Sequence, residues 1–127
     1  MTRLSILHVD DEPDIREVAA MSLQLDPDTD VASAPSGRHA LAMLQDGLRP
    51  DVILLDVMMP GLDGPATLEA LRDIPGLETT PVIFMTARAQ SREQDRYLAL
   101  GAIGVILKPF DPMTLARDVR DLLAAAG

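Results

Sequence analysis

Asp56 closes the apolar run Val52-Ile53-Leu54-Leu55 and is followed by Val57-Met58-Met59-Pro60-Gly61-Leu62-Asp63-Gly64, so a single carboxylate stands at the end of a strand-like segment. A carboxylate is a weak nucleophile, yet it accepts a phosphoryl group when a cation neutralises the charge between the two reactants. Such chemistry needs acidic ligands for the cation and donors for the phosphoryl oxygens. Asp10-Asp11 follows the run Leu4 to Val9, Thr86 follows Val82 to Met85, and Lys108 follows Ile103 to Leu107. Each has an ordinary reading by itself: an acidic turn, a strand-end threonine, a lysine whose stem lies on apolar surface. Their common position, at the ends of separate apolar runs, is what points to chemistry. Three acids brought together repel one another unless a cation sits among them. Magnesium suits the set, because it takes hard oxygen ligands from one or two carboxylates and keeps waters that a phosphoryl oxygen can replace. No histidine or cysteine is required, which argues against zinc.

The four runs are continuous rather than alternating, as expected of parallel strands covered on both faces. A weaker segment, Asp30 to Ala34, reads as a further strand at an edge. Helix-length stretches separate them, and this alternation implies an open parallel sheet. Ligands bind such sheets outside the carboxyl ends of the strands, near the point where strand order reverses.

Pro13, with Asp14 and Glu17 close behind, opens a first helix whose inward stripe is Ile15, Val18, Ala19 and Leu25. Asp26-Pro27-Asp28 stops it. A second helix carries Ala40, Leu41, Leu44 and Leu48. A third starts after Asp63-Gly64-Pro65 and carries Leu68 and Leu71 up to Ile74-Pro75-Gly76. Ser91 with Gln94 reads as a capping box for a fourth helix, closed by Gly101. The fifth begins near Asp111-Pro112 and carries Leu115, Val119, Leu122 and Leu123.

With 127 residues the chain fits one domain, residues 1–127, with no output domain expected within it. The formal charge of −9 and the scattering of the 11 basic residues argue against direct nucleic-acid binding. There is no cysteine, which is compatible with a reducing cytoplasm and excludes a disulfide framework. No apolar run approaches a membrane span, so no membrane insertion is expected. Phe84, Phe110 and Tyr97 are the only aromatic residues, so the core must be aliphatic. His8 reads as a packed strand residue and His39 as a solvent-facing helix residue.

Asp10-Asp11, Asp56 with Met59-Pro60 and Asp63-Gly64, Thr86-Ala87, Gly101-Ala102 and Lys108-Pro109-Phe110, in this order and over nearly the whole chain, resemble the receiver domain of two-component response regulators. The resemblance implies an α/β, flavodoxin-like (βα)5 three-layer sandwich with a five-stranded parallel sheet in the order 2-1-3-4-5. It implies that Asp56 is the phosphoacceptor, taking its phosphoryl group from a phosphohistidine on a sensor histidine kinase or histidine phosphotransfer protein. Mg2+ would be held by Asp11, Asp56 and the backbone carbonyl of Met58, with Asp10 assisting through water. Thr86 and Lys108 would bind the phosphoryl oxygens.

Phosphorylation would then shift the face made by the fourth helix, fifth strand and fifth helix and alter binding of a downstream protein. Met58 and Arg88 are expected to modulate phosphoryl lifetime. Val105 stands where the family usually carries an aromatic residue, so a smaller switch is expected, read through Thr86 and Tyr97. The resemblance also makes Ile15, Pro109 and Phe110 part of a surface that docks the phosphodonor, and Lys108-Pro109 is a candidate cis peptide. A regulatory domain rather than an enzyme follows, bacterial and cytoplasmic, monomeric or weakly dimeric on phosphorylation. The alternatives are an isolated receiver fragment of a larger transcription factor or enzyme, a Mg2+-dependent aspartyl-phosphate phosphatase, and a flavodoxin-like binding module. The phosphatase pattern places its nucleophile after the first strand with a second acid two residues on, where this chain has Met58 after Asp56. A flavin phosphate loop would be rich in Ser, Thr and Gly, whereas Asp10-Asp11-Glu12-Pro13 is acidic.

Overall fold

The computed structural model describes residues 3–88 and 90–127. Five strands, β1 (Leu4–Val9), β2 (Thr29–Ala34), β3 (Val52–Asp56), β4 (Val82–Thr86) and β5 (Gly104–Leu107), alternate with five helices. The helices are α1 (Pro13–Leu23), α2 (Gly37–Gln45), α3 (Gly64–Leu71), α4 (Ser91–Ala99) and α5 (Leu115–Ala126). All neighbouring strands pair in parallel and the sheet order is β2-β1-β3-β4-β5, as expected. The order reverses at β1, so the carboxyl ends of β1 and β3 flank the switch point. Among the described residues no helix is long and apolar enough to cross a membrane.

The continuous apolar runs have a simple cause: each central strand feeds two cores. Leu7, Val9, Ile53, Leu55 and Phe84 face one side with Leu44 of α2, Leu68 and Leu71 of α3 and Tyr97 of α4. Ile6, Leu54, Ile83, Met85 and Ile106 face the other with Ala19 and Leu23 of α1 and Leu115 and Val119 of α5. Burying each Leu or Ile contributes roughly 1.5–3 kcal/mol, and within the central strands the buried residues are apolar except His8 of β1 until the strand ends. Phe84 and Tyr97 meet with ring centroids 5.1 Å apart. Arg120 of α5 donates to Asp26 Oδ2 at 2.6 Å and to the Asp28 carbonyl at 3.2 Å, fastening the turn that ends α1.

Three local expectations are corrected. The inward side of α1 is Ala19, Ser22 and Leu23, whereas Val18 and Leu25 of the expected stripe are 42% and 61% exposed. Ser22 can take a buried place because its hydroxyl donates to the Val18 carbonyl at 2.7 Å. That local bond lets the buried stripe turn one residue away from the pattern read on hydrophobicity alone. Ser91 is the first residue of α4, not its cap: Gln90 occupies the cap position, and its carbonyl accepts from the backbone N–H groups of Glu93 and Gln94 at 3.1 Å. The last helix begins at Leu115, later than the Asp111-Pro112 signal, because the Asp111 carboxylate accepts from the N–H of Met113 at 2.9 Å and closes a separate turn first. The other punctuation holds. Gly101 ends α4 with φ of 110°, Asp63 caps α3 by accepting from the N–H of Ala66 at 2.9 Å, and Lys108-Pro109 is cis.

Gly64 shows why the Asp63-Gly64 pair follows Asp56 at this distance. Its N–H donates to the Val57 carbonyl at 2.9 Å, which seats the start of α3 directly on the segment leaving β3. A Cβ at this position would lie 2.6 Å from the Asp56 carbonyl oxygen and 2.9 Å from Val57 Cα, both backbone atoms that cannot swing aside. Gly64→Ala is therefore expected to destabilise the domain by about 1–3 kcal/mol through overpacking, measured as a lower urea midpoint at unchanged slope.

Candidate functional site

The two layers deliver polar residues to one edge of the sheet. Asp10 follows β1 and is fully buried, Asp11 is half-buried, and Asp56, the last residue of β3, is buried. One carboxylate oxygen from each lies within 4.8 Å of the others. From the far side Lys108, just after β5, extends Nζ to Asp10 Oδ2 at 3.1 Å and to Asp56 Oδ1 at 3.3 Å. The anticipated Asp56–Lys108 ion pair is thus present, and Lys108 also serves Asp10. The second Asp10 oxygen accepts from the N–H of Glu12 at 2.9 Å, so both Asp10 oxygens are engaged inside the fold. Asp56 Oδ1 accepts in addition a long bond, 3.4 Å, from the N–H of Met58.

The electrostatics follow from one ammonium shared by two carboxylates with a third beside them. Burial, and then the charge of Asp10, push the Asp56 carboxyl above the ordinary aspartate value, although Lys108 and the Met58 N–H pull the other way. Burial by itself would depress Lys108, but the hydrogen bond to Asp10 and the charges of Asp56 and Asp10 outweigh it and hold the ammonium above its ordinary value. Both shifts are upward, and this is consistent: the lysine is over-supplied with negative charge while Asp56 is under-supplied with positive charge. A divalent cation among the acids meets that deficit, and the donor set, three carboxylates beside backbone oxygens, is the hard-oxygen kind that magnesium takes. The residues present fit the group.

The remaining candidates sit around this cluster in different ways. Thr86 ends β4 and is buried; its hydroxyl oxygen accepts from the N–H of Arg88 at 3.1 Å, leaving its own proton free to be donated. The N–H of Lys108 donates to the Thr86 carbonyl at 2.8 Å, so the ends of β4 and β5 are locked in step. The Met58 side chain is 68% exposed at the rim. Arg88 is exposed and reaches Glu93 at 3.4 Å. Val105 lies within β5, opposite Phe84 in register, half-buried against the core that contains Tyr97. Pro109 is exposed, while Ile15 and Phe110 are half-buried. His8 is packed as expected: burial, above all, pushes its imidazole down to about 4, so it is neutral near pH 7.

Sequence reasoning missed one neighbour. Arg16, in the second turn of α1, donates from Nη1 to the Asp10 carbonyl at 2.7 Å and pins the acidic pair to that helix. Nothing in residue type distinguishes Arg16 from an ordinary surface arginine. Only its position, six residues after Asp10, could have suggested the contact.

In the folded state the Asp56 carboxyl binds a proton more readily than in the unfolded chain, so its ionised form opposes folding. The stability contributed by the raised pKa is fully present below the ordinary aspartate value and is lost as pH rises through the raised value. In chelator at pH 7, Asp56→Asn is expected to raise the urea midpoint, and the gain should shrink as pH falls toward 4. Adding Mg2+ should stabilise the wild type more than the variant, by mass action on the folded state.

A family model described as the response regulator receiver domain matches residues 6–120. The response regulator Rre1 of Synechocystis sp. is 37% identical over 95% of this chain and 52% of its own length. An uncharacterized 14.6 kDa protein of Leptolyngbya boryana is 38% identical over 98% of this chain and 94% of its own length. The chain thus spans about half the length of Rre1 and nearly all of the Leptolyngbya protein. Among solved structures, the chemotaxis response regulator CheY4 of Vibrio cholerae superposes with a TM-score of 0.86 at 35% identity, covering 95% of this chain and 99% of that one.

Proposed function

The chain belongs to the response regulator receiver domain family, and on that premise we propose that Asp56 is the phosphoacceptor of a two-component switch. The observation that carries this reading is the cluster at the β1/β3 switch point, where Asp10 and Asp56 share the Lys108 ammonium and Asp11 lies beside them. The donor is a phosphohistidine on a sensor histidine kinase or histidine phosphotransfer protein. An Asp56 oxygen attacks phosphorus, the N–P bond breaks, and the imidazole of the donor recovers its electron pair and takes up a proton. Asp11, Asp56 and the Met58 backbone carbonyl would hold Mg2+, with Asp10 assisting through water, and the ion supplies the positive charge that lets a carboxylate and a phosphoryl group approach. The role is regulatory, with chemistry confined to gaining and losing this one group.

Lys108 and Thr86 read the outcome. The ammonium, shared at present between Asp10 and Asp56, turns to a phosphoryl oxygen, and the Thr86 hydroxyl donates to another. Two charge-assisted bonds at about 1.5–3 kcal/mol each approach the roughly 5.5 kcal/mol that moves a two-state equilibrium from 1:99 to 99:1. Because both residues are anchored at the ends of β4 and β5, the gain is delivered to the α4, β5 and α5 face, where a downstream protein binds. Val105 makes the strand-borne part of this change small. The same switch serves a unit acting alone or the receiver portion of a longer transcription factor or enzyme, and the relatives include proteins of both lengths.

Incubation with acetyl phosphate and magnesium should add one phosphoryl mass to the wild type and none to Asp56→Asn, and chelator should abolish labelling. Equal labelling of both proteins would overturn the assignment. Met58 stands two residues after Asp56 with its side chain exposed at the rim, and Met58→Asn is expected to shorten the lifetime of the phosphorylated form several-fold, followed by loss of the added mass after removal of the donor. An unchanged lifetime would remove Met58 from the modulators. Arg88→Ala serves as the matching measurement on the other rim.

A further inference from the structure

The sheet ends at β5, a strand of four residues with β4 on one side only. Edge strands present unpaired backbone groups and are ordinarily blunted by charge or cover, yet this edge carries Leu107 at 43% exposure. Beside it runs a groove of about 450 Å³ against α5, with Leu107, Phe110 and Leu122 along its walls and Asp111, Asp118 and Asp121 at its rim. Among the described residues no lysine or arginine lines it. Asp118 touches Arg117 at 3.7 Å at the exposed surface, and Asp111 is used in its turn, so the rim keeps a surplus of negative charge. Pro109 lines the same groove, and the residue between Leu107 and Pro109 is Lys108, whose ammonium is drawn inward to Asp10 and Asp56.

We propose that this groove between the free edge of β5 and α5 receives an extended segment of a partner protein in which apolar side chains alternate with Lys or Arg. The open edge supplies backbone partners, as in strand addition. The apolar wall accepts alternate side chains, and the three acids select the basic ones. A second copy of this chain is a poor occupant: each copy carries −9, and like charges would face one another across the rim. The proposal names the kind of partner for the face invoked under the proposed function. It rests on that reading only for its regulation, which follows because Lys108 holds the groove wall on either side of it.

The test uses the whole chain and a fluorescein-labelled synthetic peptide of alternating lysine and valine, followed by anisotropy, with amide shifts of the 15N-labelled protein to locate it. Expected are saturable binding, shifts gathered on β5 and on the Asp118 to Leu122 stretch of α5, and about tenfold weaker binding to the Asp118→Asn, Asp121→Lys double variant. A control with Asp46→Lys and Asp73→Lys, exposed acids outside the groove, removes at least as much negative charge and should bind within about twofold of wild type. Equal weakening in the control, equal binding of a glutamate and valine peptide, shifts gathered elsewhere, or no binding would each overturn the proposal. So would a dimer in sedimentation that Leu107→Asp dissolves, since a second copy would then fill the groove. Acetyl phosphate labelling of the same samples keeps the two readings apart. If Asp56 labels normally while the groove variant binds like wild type, the docking inference fails and the phosphoacceptor assignment stands.

Discussion

Lys108 reaches two carboxylates at once, and the rest of the structure is arranged around the shortage this leaves. Asp10 is buried with both oxygens engaged, one by Lys108 and one by the N–H of Glu12. Asp56 holds only a share of the same ammonium and a long bond from Met58. A buried charge with incomplete compensation costs stability, and here the cost falls on Asp56. The strain is electrostatic rather than conformational: among the described residues, positive φ occurs only at glycines.

The scaffold can carry that cost because it is closely packed on both faces of the central strands. Apolar layers on both faces of the central strands fix the carboxyl ends of β1, β3 and β4 relative to one another, and the backbone bond from Lys108 to Thr86 keeps β5 in step. The helix α4, by contrast, is held to this scaffold by burial of Tyr97 alone. Val105 fits this division: half-buried and aliphatic, it fills its place in β5 without a polar group to re-pair.

The fold was legible because a strand buried on both faces leaves a continuous apolar run with a polar residue where the run stops. Asp56, Thr86 and Lys108 were marked as candidates this way, and the structure brings Lys108 onto Asp56 and sets Thr86 at the end of β4 beside it; the sheet order came with the family resemblance. What hydrophobicity could not show were choices made by hydrogen bonds. Ser22 is polar yet faces inward, because its hydroxyl is satisfied within its own helix. Ser91 has the composition of a cap but lies one residue inside the helix, since the backbone of Gln90 does the work. Arg16 and the bond from Lys108 to Asp10 join residues distant in sequence or unremarkable in type, and only three-dimensional proximity reveals them.

The contact between Tyr97 and Phe84 has an optical consequence. The chain holds one tyrosine and no tryptophan, so its intrinsic emission arises from a single ring. That ring is buried against Phe84, two residues before Thr86 on the same strand, and it is the one side chain by which α4 is anchored in the core. The protein therefore carries its own reporter where α4 meets β4, and any rearrangement there is written in the light it emits without a label being added.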